Sequence, residues 1–113
     1  MNKKFFDDIF SDTIIKIIPN KLLQIESNKQ LIENNCDELE TVINDLLDKA
    51  MFYKYFEENF YNKIRDTIIK IDEKLVQRPN NNVSTEIFIQ YNKELHVLVQ
   101  NLYKELKVYY SKV

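Results

Sequence analysis

The chain has 113 residues, 44% hydrophobic and 30% charged, with a formal net charge of -2. That balance fits one folded domain with a real core and argues against a disordered chain. Glycine is absent, which excludes the glycine loops that cradle phosphates in nucleotide enzymes and disfavours tight β-hairpins.

Sixteen cations stand against eighteen anions, and only two of the cations are arginine, Arg65 and Arg78. Nucleic-acid binders usually carry a basic excess or stripe. The longest basic stretch here is Lys3-Lys4, with Asp7-Asp8 close behind, so nucleic acid is not the expected partner. A lone cysteine, Cys36, cannot form an internal disulfide, and a reducing compartment follows. The opening MNKKFF resembles the start of a secretory leader, but Asp7-Asp8 interrupt it before an apolar core forms. A cytoplasmic location is expected. The longest uncharged run, Leu95 to Tyr103, is too short to span a bilayer. Lysine far outnumbers arginine, and asparagine and isoleucine are abundant. This is the residue usage of an AT-rich coding genome, so Asn80-Asn81-Asn82 needs no functional explanation.

Apolar residues recur at three-and-four spacing along the chain, which is the helical period. Phe6, Ile9, Phe10, Ile14 and Ile17 share one face of a first segment. Pro19 is expected to end it at Ile18, because a residue before proline is pushed away from helical geometry. Proline then suits the first turn of a second helix carrying Leu22, Leu23, Ile25 and Ile32. Two stretches have the form of a capping box for the next helix, Ser27-Asn28-Lys29-Gln30 and Asn35-Cys36-Asp37-Glu38; the sequence does not choose between them. Ile32, Cys36, Leu39, Ile43, Leu46, Ala50 and Tyr53 then follow a strict 4-3 seam. After Tyr53 the register slips, and Phe56, Phe60, Ile64, Ile68, Ile71 and Leu75 continue an apolar face. One helix over 36–77 would be about 63 Å long; the alternative is a corner between two helices.

Arg78-Pro79-Asn80-Asn81-Asn82 marks the clearest break, and residues 79–83 are expected to form an exposed loop. Ser84 or Thr85 can cap a long last helix, with Glu86 in its first turn. Phe88, Tyr91, Leu95, Leu98, Leu102, Leu106, Tyr109 and Val113 form its stripe. The whole reads as all-α: a single domain over 1–113, an antiparallel bundle of four or five helices with a long C-terminal helix.

Few residues can carry chemistry. Cys36 and His96 are each the only residue of their kind. Cys36 sits in the apolar seam, where a packed thiol belongs. One histidine without a cysteine pair gives zinc almost no ligands, and neither the Glu-x-x-His pairs of di-iron bundles nor an EF-hand loop occurs. The acidic pairs Asp7-Asp8, Glu38/Glu40 and Glu57-Glu58 lie among lysines at helical spacing, as on a solvated face. No enzyme activity, cofactor or metal is expected.

Surplus apolar residues are more informative. Phe52, Tyr53, Phe56 and Phe60 fill one core stripe, which leaves Met51, Tyr55 and Tyr61 pointing elsewhere on the same segment. In the last helix Val97 and Val108 lie off the main stripe, eleven residues apart, three turns on one side. Large apolar side chains in a charged rim are the composition of a contact core. Met51, Tyr55, Tyr61, Val97 and Val108 are therefore the candidate partner-binding residues. The expected function is a non-enzymatic interaction module of adaptor, chaperone or toxin-immunity type. Its partner is another protein or a second copy of itself. The alternative is a helical subunit of a nucleic-acid-binding complex, contacting RNA or DNA through lysines beside exposed tyrosines.

Overall fold

The computed structural model describes residues 12–54 and 58–110. Among them are four α-helices: α1 (Ile18–Ser27), α2 (Ile32–Lys54), α3 (Glu58–Val76) and α4 (Thr85–Tyr110). One π-helical turn, Thr13–Ile17, leads into α1, and one 3-10 turn, Lys29–Leu31, leads into α2. No strand occurs among the described residues. The molecule is an all-α bundle measuring 46 × 21 × 20 Å.

The polar links between helices fix the topology. Lys21 meets Glu38 and Asn35 meets Gln24, so α1 and α2 run antiparallel. Asn44 reaches Asp72 and Arg78 reaches Asp37, which sets α3 antiparallel to α2. Thr67 bonds Glu105, and Lys74 pairs with Glu94, giving the same relation for α3 and α4. The seam expected from spacing is the core of α2: Ile32, Cys36, Leu39, Ile43, Leu46 and Ala50 are fully buried. Ile64, Ile68, Ile71 and Leu75 of α3 and Leu95 and Leu102 of α4 close over it. Each such aliphatic side chain contributes roughly 1.5–3 kcal/mol by leaving water. The 36–77 stretch is two helices, and the bundle's longest axis is shorter than one continuous helix would need.

Three local expectations need correction, and one choice that the sequence leaves open is settled. Pro19 does not end the first helix. Residues 12, 17 and 18 all hold right-handed helical angles, and the Ile18 N–H bonds the Thr13 carbonyl five residues back. The wider π turn lets the chain continue into α1, with proline in its first turn, where the missing N–H costs nothing. Five-residue spacing also rotates the buried face: Thr13 and Ile18 point inward, while Ile17 is exposed.

Second, the break before α2 falls at Asn28, which is extended (φ -144, ψ 92) and accepts from the Gln30 N–H at 3.1 Å. Cys36 lies inside α2, so the second capping box is not used. With no glycine to take a left-handed cap, α1 ends by this extension, and Asn35 and Ser27 bond the Gln24 carbonyl.

Third, Val99 is buried in α4, while Leu98 is only half-buried and Leu23 of α1 is exposed. Fourth, the 79–83 loop is less exposed than expected. Pro79, Asn81 and Val83 are half-buried, and Val83 packs on the core. The Asn80 side chain accepts from the Asn82 N–H at 2.9 Å, closing a tight polar turn.

Candidate functional site

A buried pair of ionisable side chains lies where α2, α3 and α4 meet. The Cys36 Sγ lies 3.9 Å from the Tyr91 hydroxyl, and that hydroxyl donates to the Lys74 carbonyl at 2.7 Å. Since the tyrosine proton is engaged there, the thiol is the donor between the two. Burial pushes the Cys36 thiol above its ordinary range, against smaller opposing effects of the Tyr91 bond and Arg78. Burial likewise raises Tyr91. Both groups are therefore neutral, and a neutral thiol is a poor nucleophile. The partner of His96 is Glu26, at 3.5 Å, so the only cysteine and the only histidine serve different contacts.

Around this buried pair the charges are paired. The Lys74 ammonium lies 5.2 Å from the Tyr91 ring centre and pairs with Glu94. Hydrogen bonding from Lys74 holds the Glu94 carboxyl below its usual range. Arg78 donates to Asp37 at 2.7 Å and to the Leu75 carbonyl at 3.0 Å, tying the end of α3 to α2. An acidic groove on α2, lined by Asp37, Glu40, Asp45 and Asp48, borders this clamp. Among the described residues, no group of three acidic, histidine or cysteine side chains is placed to hold a metal ion. No helix there is long and apolar enough to cross a membrane.

The five candidate contact residues separate. Met51 is 46% exposed near the end of α2. Tyr55 lies outside the described residues, as do Phe6, Ile9, Phe10, Phe56, Val113 and the side chains of Phe52, Tyr53, Phe60 and Tyr109. Tyr61 does not point away from the core: it is half-buried and packs against it. Val97 and Val108 are 56% and 48% exposed.

The two valines share an edge that spacing alone left incomplete. Glu94, Val97, Asn101, Glu105 and Val108 recur at three-and-four intervals on α4, so they form one stripe. Two of them locate it: Glu94 is held by Lys74 and Glu105 by the Thr67 hydroxyl at 2.6 Å, both on α3. The stripe therefore runs beside α3. On α3 the residues Lys63, Thr67, Lys70 and Lys74 form the facing row, in which Lys63 and Lys70 are exposed. On the outer side of α4, Lys93, Lys104 and Lys107 are exposed as well. The valines thus lie between two rows of lysine. No family model, curated protein or solved structure matches the chain.

The lysine rows are not consecutive in the sequence, so they form no basic run there. The helical repeat of Lys63, Thr67, Lys70 and Lys74 was the available signal.

A second exposed apolar pair lacks this frame. Ile69 and Val76 repeat on α3, but beside Glu73 and the Arg65–Asp66 pair. The Tyr103 hydroxyl is buried without a hydrogen-bond partner among the described residues, and burial raises its pKa.

Proposed function

We propose that this chain is a cytoplasmic protein-interaction module that binds another protein through the edge formed by α3 and α4. Adaptors, chaperones and toxin-immunity proteins work in this manner, by presenting a helix face. The observation that carries the reading is the exposure of Val97 and Val108 on one stripe, three turns apart, within a rim of lysines. Apolar side chains ringed by charge are what a contact core and its rim require. A nucleic-acid role would need bases to stack on tyrosines beside those lysines. Tyr61 and Tyr103 are half-buried, which favours the protein reading.

A photo-crosslinking residue at position 97, introduced in the native cell, tests it. A discrete protein adduct that disappears when Val108→Glu is added supports the reading. If position 97 crosslinks to no protein, or its adducts persist unchanged in the Val108→Glu background, the edge is not the working surface.

A further inference from the structure

We infer that the occupant of the α3/α4 edge is an acidic amphipathic helix of another protein, lying along α4 with its apolar side chains on Val97 and Val108. This rests on the protein-binding reading above and adds the chemistry of the partner.

Shape comes first. From Gln90 to Val108 the outer surface of α4 is a continuous helical strip about 27 Å long. Ridge-and-groove packing of a second helix on such a strip brings side chains together at intervals of three and four residues. Val97 and Val108 are separated by eleven residues, so a partner helix presenting an apolar stripe meets both.

Charge comes second. Among the described residues, Lys16, Lys21, Lys49 and Lys74 pair with carboxylates, and so do Arg65 and Arg78. Among the described residues, no such pair involves Lys29, Lys63, Lys70, Lys93, Lys104 or Lys107. Apart from Lys29, the cations without such a pair among the described side chains lie on both sides of the valine stripe. Of the stripe's own carboxylates, Glu94 is paired with Lys74, and Glu105 is turned toward α3, where it accepts from the Thr67 hydroxyl. An incoming helix with carboxylates flanking an apolar stripe complements this arrangement on both sides.

The same details disfavour other occupants. Neither arginine lies on this edge, so the bidentate guanidinium contacts that favour phosphate are not available there. A second copy offers the acidic outer face of α2, where, among the described side chains, Met51 is the only exposed large apolar one, a poor complement to two valines.

The experiment uses the full chain and a fluorescent synthetic peptide about 18 residues long, with leucines on one helical face and glutamates on either side. Three controls accompany it: the same residues in scrambled order, the same peptide with lysine replacing glutamate, and a single-stranded oligonucleotide. Binding is read by anisotropy and by backbone amide shifts. The acidic amphipathic peptide is expected to bind about tenfold more tightly than each control, with shifts over residues 90–108 and 63–70. A Lys70→Glu, Lys104→Glu variant and, separately, a Val97→Asp variant should each lose about tenfold, with unchanged far-UV circular dichroism.

Equal binding of the scrambled peptide overturns the inference, because charge alone then explains it. Tighter binding of the oligonucleotide overturns it in favour of a phosphate ligand. Self-association that the peptide does not compete with overturns it in favour of a second copy. If the peptide fails while position 97 still crosslinks specifically to a protein, the partner chemistry is wrong and the protein-binding reading stands; if both fail, both are wrong.

Discussion

The Cys36 thiol and the Tyr91 hydroxyl are buried together, and their protons are committed in sequence to the Lys74 carbonyl. The thiol position was legible from spacing, since Cys36 falls on the seam between Ile32 and Leu39. Its partner was not, because Tyr91 is 55 residues away and looks like any other stripe residue in the sequence. Removing the hydroxyl in Tyr91→Phe leaves the Lys74 carbonyl without this donor and should cost about 1 kcal/mol, read from urea midpoints. The pair also sets a pH dependence. Folded Cys36 resists ionisation, whereas in the unfolded chain the thiol ionises from its ordinary value of 9.0. Above that pH the unfolded state binds fewer protons, so stability falls as pH rises. The slope approaches roughly 1.4 kcal/mol per pH unit for each such group. Tyr91 joins from its ordinary value of 10.0. Below pH 8 neither group contributes to the slope. Cys36→Ala should remove the earlier onset of the decline; a decline of the same shape in that variant would show that the thiol is not its source.

At the scale of elements, periodicity located what packing controls, and it failed where local hydrogen bonding decides. The α2 seam and the inward face of α3 followed from three-and-four spacing, because burial of one face dictates that spacing. The Pro19 boundary did not, since proline can be absorbed by a π turn that shifts the bond to Ile18 N–H and the Thr13 carbonyl. The exchange of Leu98 for Val99 is a small rotation of a wide apolar stripe, and either residue is apolar enough to satisfy the pattern. Val83 was assigned to a loop from its asparagine neighbours, yet its own side chain is apolar and closes over the core. The start of α4 is the most local feature: the Ser84 hydroxyl accepts from the Ile87 N–H at 3.2 Å, and the Ser84 carbonyl accepts the first helical bond, from Phe88. Ser84→Ala should therefore cost about 1 kcal/mol, and Ser84→Asp should retain most of the stability. Equal losses in both variants would place the effect outside the cap.

For the whole molecule, the four helices are not held equally. α2 packs broadly on α3, and α3 on α4, whereas α1 packs mainly on α2 and only lightly on α4. α1 is also the shortest helix. It buries Ile18, Leu22 and Ile25 but leaves Leu23 59% exposed, and Ile15 in the turn before it 69% exposed. Its polar ties are Lys21 to Glu38, Asn35 to the Gln24 carbonyl, and the longer contact between Glu26 and His96. The first is a partly exposed ion pair that salt screens, so it adds little to stability. Segments with fewer buried contacts open at lower free energy than the global transition. In native-state hydrogen exchange, the amides of Leu22 and Ile25 should therefore exchange through a partial opening. Those of Ile43, Ile68 and Leu95 should require global unfolding. The α3/α4 edge belongs to the more tightly held part, so it keeps its shape while α1 opens. Leu22→Ala should lower the protection of α1 amides by more than it lowers that of α3 and α4. Uniform protection across all four helices, with equal losses in the variant, would mean that the bundle unfolds as one cooperative unit and that α1 has no separate opening.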